Sequence, residues 1–185
     1  QRQMCIRDRL ISEKQLEDDV ASQNAKMQPI RVKNPMTEPH TFLRPALTPS
    51  LLRVAGDNVR MGLTNLRLFE IGTTFIANPK GHQIEQQSLA LLMTGQLEDA
   101  SWQQPKPSQI DVHAIRGVLE SLAGTEVTLK PAKKHDRLLA AAEIHIGKTK
   151  VGLVGQLKPA RARELDIDAP VTVSYTHLRA HETSI

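Results

Sequence analysis

The stretch TNLRLFEIGTTF, Thr64 to Phe75, sets Arg67 and Glu70 three residues apart in a mostly apolar run. Arginine and glutamate side by side can grip a phosphate or hold an acid ionised, so their spacing decides what chemistry is open to them. In an extended chain Leu66, Leu68 and Glu70 share one face while Arg67, Phe69 and Ile71 share the other. The two charges then point apart, and no acid/base pair forms within the strand. HIGKT, His145 to Thr149, ends like a phosphate-binding loop, but the full pattern needs a glycine at position 142, where Ala142 stands, and a helix after it. It reads instead as a hairpin turn. His40, His82, His113, His135 and His145 show no i,i+4 pairing and have no cysteine partner, so they predict no metal centre. Neither a Gly-x-Ser-x-Gly elbow nor a dinucleotide-binding glycine set is present. Lys130, Lys133, Lys134, Arg161 and Arg163 form two small basic clusters that could meet an RNA backbone, but are read first as a solvated face because few aromatics accompany them to stack bases. Trp102, the single tryptophan, lies on a proline-flanked loop as either a partner contact or the anchor of its own loop.

These residues must be positioned by a scaffold, and its extent is set first by the ends of the chain. QRQMCIRDR at the start and SYTHLRAHETSI at the end resemble the conceptual translation of sequencing-library adapters. The expectation is one domain over residues 10–173, between foreign tails at 1–9 and 174–185. Arg2, Arg7 and Arg9 against Asp8 give the first tail a net +2, and Arg179 cancels Glu182 in the second, so the chain's +4 falls to +2. That balance makes no electrostatic case for nucleic acid, DNA included, and an independent RNA-binding module is the least supported reading. The one cysteine, Cys5, falls in the first tail, which fits a reducing compartment. With no run of apolar residues long enough to cross a membrane, a soluble cytoplasmic protein is expected.

The scaffold itself is signalled by turn and cap chemistry. Residues 11–26 suit a short helical connector, and Ile30 with Val32, the Asn34-Pro35 break and Phe42 to Arg44 read as strand, turn, strand. Thr48 as N-cap and Pro49 at the first helical position open a helix with Leu52, Ala55 and Val59 on one face, an Arg53–Asp57 pair and a stop at Gly62. A strand over Thr64–Phe75, a turn at NPKGH and a central strand at Ser88–Thr94 follow. Ser108 is the expected cap of a second helix with Ile115, Val118, Leu119 and Leu122 buried, close backbone packing at Gly117 and a stop at Gly124. TEVTLKP, AAAEIHIG and TKVGLVGQL predict three strands before a short basic helix from Pro159. The sum is an α+β domain with a mostly antiparallel sheet and flanking helices.

Four stretches in order resemble the β subunit of bacterial phenylalanine–tRNA ligase: VKNPMTEPHTFLRPALTPSLLRVAGDN, LRLFEIGTTF, DVHAIRGVLESLAG and AEIHIGKTKVGLVGQLKPARARELDI. The first two carry it most specifically, through Asn34-Pro35, Leu43-Arg44, Pro49 leading into a helix, and Arg-Leu-Phe-Glu-Ile-Gly. Two departures stand out: the usual Asp-Leu-Lys-Gly reads Ala114-Ile115-Arg116-Gly117, and His-Pro-Gly reads His135-Asp136-Arg137.

This resemblance implies a class II aminoacyl-tRNA synthetase-like domain, catalytic in fold but not in chemistry, as an internal fragment of a longer subunit. It further implies an (αβ)2 heterotetramer in which the α subunit binds ATP, magnesium and phenylalanine and the holoenzyme charges tRNA. No catalytic, cofactor or metal residue is then expected on this fragment. Active relatives hold ATP with an Arg-x-Glu on an incoming strand that returns through an outgoing one, and LRLFEIG is read here as an outgoing strand alone, with Leu68 where an arginine would stand. Arg44, Leu52, Ala55, Val59, Arg67, Glu70 and Trp102 are the structural and partner-contact candidates. The alternative is a stand-alone synthetase-like paralogue that binds an amino acid as a regulator.

Overall fold

A computed structural model describes residues 10–13, 16, 28–35, 41–98, 101–102 and 105–177. Two short strands, β1 (Leu10–Ile11) and β2 (Phe42–Leu43), pair antiparallel. Ile30 and Val32 extend this pairing, since Val32 N–H donates to Thr41 O and Leu43 N–H to Ile30 O, at 2.9 Å each. That is the expected strand, turn, strand in reduced form. Most of the expected connector over 11–26 lies outside the described residues, as does residues 1–9.

Helix α1 (Thr48–Arg60) leads into β3 (Leu66–Ala77) and β4 (Gln83–Thr94), which pair over their full length around a turn at residues 78–82. Asn78 shapes that turn, its Oδ1 accepting from Lys80 N–H at 2.9 Å and His82 N–H at 3.0 Å. Helix α2 (Val112–Ala123) is followed by β5 (Val127–Pro131), β6 (Leu138–Ile146), β7 (Thr149–Leu157), the short helix α3 (Pro159–Arg163) and β8 (Val171–His177). The six long strands make one sheet in the order β3-β4-β8-β7-β6-β5, antiparallel at every step. HIGKT is the β6–β7 hairpin, with Gly147 at φ 59° in the turn and Ile146 opposite Thr149.

The helices take opposite faces of the sheet. Leu51, Leu52 and Ala55 of α1 pack on Leu66, Ala90, Leu92, Leu153, Val171 and Val173. On the other face Ile115 and Leu119 of α2 meet Leu89, Leu91, Met93, Val127, Ile144 and Val154. β4 contributes alternate residues to both layers, which is why its second half reads as an unbroken apolar run.

Several local expectations are corrected. The cap of α1 is Leu47, one residue early, because Ala46 and Leu47 are drawn into the core; Thr48 is inside the helix with its hydroxyl buried and without a hydrogen-bond partner among the described residues. Asp57 pairs with Arg60 rather than Arg53, and Arg60 also reaches Asp166 at 2.8 Å, tying α1 to the turn after α3. The cap of α2 is Asp111, not Ser108, its Oδ1 accepting from His113 N–H at 2.9 Å and Ala114 N–H at 3.1 Å. Ser108 instead accepts from Leu97 N–H through its carbonyl, so it belongs to the loop base. Gly117 and Leu122 lie on the solvent side of α2, since the helix docks through Ile115 and Leu119; a Cβ on Gly117 would meet nothing within 4 Å. Gly124 does end α2, in the left-handed conformation at φ 64°. The expected domain boundary after Val173 falls inside β8, and Ser174 and Thr176 beyond it are buried in the sheet.

Candidate functional site

β3 alternates as its sequence implies. Leu66, Leu68 and Glu70 face the α1 layer, and Arg67, Phe69 and Ile71 face the other side. Glu70 finds its cation 26 residues earlier in the chain. Arg44 leaves β2 with its carbonyl accepting from Phe75 N–H at 2.9 Å, which fixes its backbone against the edge of β3. Its Nη1 then donates to Glu70 Oε1 at 2.5 Å and its Nε to Thr73 O at 3.1 Å. The side chains are 6% and 16% exposed, so this is a buried ion pair. Gly72 leaves room for it: a Cβ there would run into Arg44 Nη2, so a side chain at this position would push the guanidinium aside from where it lies over the strand.

Arg67 works on the opposite face. Its Nη2 donates to Leu97 O at 2.5 Å and Gln96 O at 3.1 Å, just after β4 ends. The same segment is closed on itself by a Gln96–Gln109 bridge and by Ile110 N–H donating to Gly95 O at 3.0 Å. Arg67 therefore holds the base of the loop that carries Trp102. Trp102 is 89% exposed, so it does not anchor its own loop. Leu52 and Ala55 are buried within the chain and Val59 packs partly against the same cluster, which places all three in the domain's own core.

The arrangement fastens rather than transfers. An arginine does not give up its proton near neutral pH, and Arg44 already spends Nη1 and Nε on protein oxygens. Two surface carboxylates are held below their ordinary range. Glu120 is lowered first by the Val127 N–H and then by Arg116; Glu143 is lowered first by Lys150 and then by His145. Each joins neighbouring elements, Glu120 linking α2 to β5 and Glu143 linking β6 to β7. Among the described residues no three histidine, cysteine, aspartate or glutamate side chains gather to hold a metal ion.

The reading of β3 as an outgoing strand is overturned. Its antiparallel partner β4 follows it in sequence, so β3 runs in and β4 runs out around the turn at 78–82. Strand order cannot be read from one run alone, because its partner is defined only by register. As the incoming strand, β3 carries Leu68 two residues before Glu70, so the Arg-x-Glu pattern is still not met there. Sequence reasoning had also passed over Gly72 and Thr73. An interior glycine in a strand was the available signal, since it marks close approach by another group.

Three comparisons with known proteins point the same way. The family model for the phenylalanyl tRNA synthetase beta chain CLM domain matches residues 5–175. The phenylalanine–tRNA ligase beta subunit of Oceanobacillus iheyensis is 34% identical over 146 residues, 75% of this chain, and that of Geobacillus kaustophilus is 34% identical over 149 residues, 76% of it. In both cases the match spans 18% of the relative's length. Two structures of pyrrolysyl-tRNA synthetase from Desulfitobacterium hafniense superpose with TM-scores of 0.63 and 0.62 at 19% and 17% identity. They cover 91% of this chain and 57% and 58% of theirs, and the shared fold is that of a class II synthetase domain.

Proposed function

Because the chain belongs to the phenylalanyl-tRNA synthetase β-chain family, we propose that it is the module through which a phenylalanine–tRNA ligase β subunit supports its catalytic α subunit. In this reading the parent enzyme joins phenylalanine to tRNA at the expense of ATP. The α subunit holds ATP and magnesium, and the two subunits assemble as an (αβ)2 heterotetramer in the cytoplasm. tRNA is bound by the holoenzyme.

The observation that carries the reading is the fate of Arg44. It is the arginine that reaches the α1-side surface of β3, and it is bonded to Glu70 and Thr73 instead of being presented to a phosphate. The acid of the β3–β4 hairpin, Glu70, is thereby neutralised from outside the hairpin by Arg44. Phe69 and Ile71, 70% and 59% exposed on the other face of the same edge strand, and Trp102 on the loop held by Arg67, supply apolar surface for a partner.

Two measurements test this. The pure chain should show no phenylalanine-dependent ATP–pyrophosphate exchange, and clear exchange would overturn the supporting role. Coexpressed with a phenylalanine–tRNA ligase α subunit, it should copurify as a stable complex, with the emission of its single tryptophan shifted to the blue as Trp102 leaves water. A chain that stays free of the α subunit would overturn the assignment of partner.

A further inference from the structure

β3 is one end of the six-stranded sheet and β5 the other, and the two edges are finished differently. Along β3 the odd-numbered residues turn their backbone groups away from β4: Phe75 N–H donates to Arg44 O, and Ala77 exchanges bonds with Gln28. By the same alternation Arg67, Phe69 and Ile71 direct N–H and C=O outward, and these groups find no backbone partner among the described residues. We propose that this open stretch pairs with the same stretch of a second copy of the chain, antiparallel and centred on Phe69.

Edges are ordinarily blunted by proline, by a bulge or by outward-facing charge. β5 follows that rule: on its outer side Val127 N–H is taken by Glu120 Oε1 at 3.1 Å, and Pro131 has no N–H to give. β3 does not. It contains no proline, and its pairing with β4 runs residue for residue without a bulge. Its one cation, Arg67, is drawn back onto Gln96 O and Leu97 O. Beside the open backbone stand Phe69 and Ile71, both well exposed.

Self-complementarity selects the second copy and fixes the register. With the two-fold axis at Phe69, Arg67 lies opposite the second copy's Ile71 and Phe69 opposite its own counterpart, and each pair exchanges both backbone bonds. All of the open residues are then used. On the side of α2 the two phenylalanines meet, and each isoleucine covers the stem of an arginine. On the other side Leu68 stands opposite Glu70, whose charge Arg44 already holds. An axis at Glu70 would set two glutamates face to face and would need Thr73 O, which Arg44 Nε occupies. An axis at Leu68 would leave Ile71 facing Asn65, ahead of the strand. The pairing centred on Phe69 also stops short of Phe75 and Ala77, where the chain's own Arg44 and Gln28 sit. Phe69 and Ile71 are the surface that the supporting role offers to the α subunit, so the two occupants exclude each other. Self-pairing belongs to the chain before that subunit binds.

The test begins with sedimentation of the 185-residue chain alone across the micromolar range, where the mass should rise from one chain toward two. Phe69→Lys sets like charges opposite one another and should weaken association at least about tenfold with an unchanged melting curve. Leu139→Lys replaces a comparably exposed apolar residue on β6 and should leave association within about twofold. Register is read by disulfide trapping in a Cys5→Ser background, which removes the single native thiol. Phe69→Cys should cross-link to itself on mild oxidation, since the paired Cα atoms lie about 5.5 Å apart. Ile71→Cys should not, because the axis at Phe69 separates the two copies of that position by roughly 13 Å along the strand. A chain that stays monomeric, equal loss in the β6 variant, or equal cross-linking at both positions would overturn the pairing. Each of these is measured without an α subunit, so a negative result here leaves the supporting role to its own test.

Discussion

Glu70 and Arg44 set a measurable test of what a buried charge does in this domain. Removing one member of a buried ion pair leaves the other without compensation, so Glu70→Ala should lower unfolding stability by about 3 kcal/mol or more. Arg44→Met with Glu70→Leu together should recover most of that, because neither charge then remains to be solvated. Urea midpoints at unchanged m-value read both; a double variant as unstable as the single one would show that packing, not charge, dominates. At this scale the sequence was partly legible. Alternation alone placed Arg67 and Glu70 on opposite faces, and both serve as fasteners. The identity of Glu70's partner was not legible, because Arg44 is distant in sequence and reaches it only once β2 has been laid against β3.

Helix α2 shows why element existence is easier to read than element orientation. Its stripe of Ile115 and Leu119 and its glycine stop were visible in spacing, but whether Leu122 would join the stripe depended on the tilt of the helix across the sheet. The docking that leaves Leu122 exposed also leaves Gly117 in open space. Gly117→Ala should therefore stabilise the domain by about 1 kcal/mol through helix propensity, raising the melting temperature. Had the glycine allowed close packing, the same change would destabilise. Glu120 gives the element a pH signature. Its carboxyl is lowered from 4.5 by the Val127 N–H and then by Arg116. A depressed folded pKa means the contribution is complete above the unfolded value and fades as pH falls through the folded one. Relative to Glu120→Gln, the native chain should be more stable at neutral pH, with the gap closing on acidification; a gap that is constant with pH would rule out the carboxylate's charge as its source.

Across the whole molecule, the order of strands in the sheet differs from their order in the chain, and no local pattern announces it. Antiparallel class and flanking helices followed from turns and alternation, whereas the insertion of β8 between β4 and β7 follows only from which edges remain open. β8 also ends in residues that the sequence reading placed outside the domain. Ser174, opposite Leu91 and Val154 in the α2 layer, has a buried hydroxyl with no hydrogen-bond partner among the described residues. Ser174→Ala should then raise stability by about 1 kcal/mol, as a higher melting temperature; a loss would mean the hydroxyl is bonded in solution. The same strand has a consequence in time. β3 with β4, and β5 through β7, can each form from nearby residues, but β4 meets β7 only through β8. A ribosome releasing this polypeptide must therefore deliver two half-sheets with raw edges before the closing strand emerges, and that interval is when nascent-chain chaperones have the most to shield.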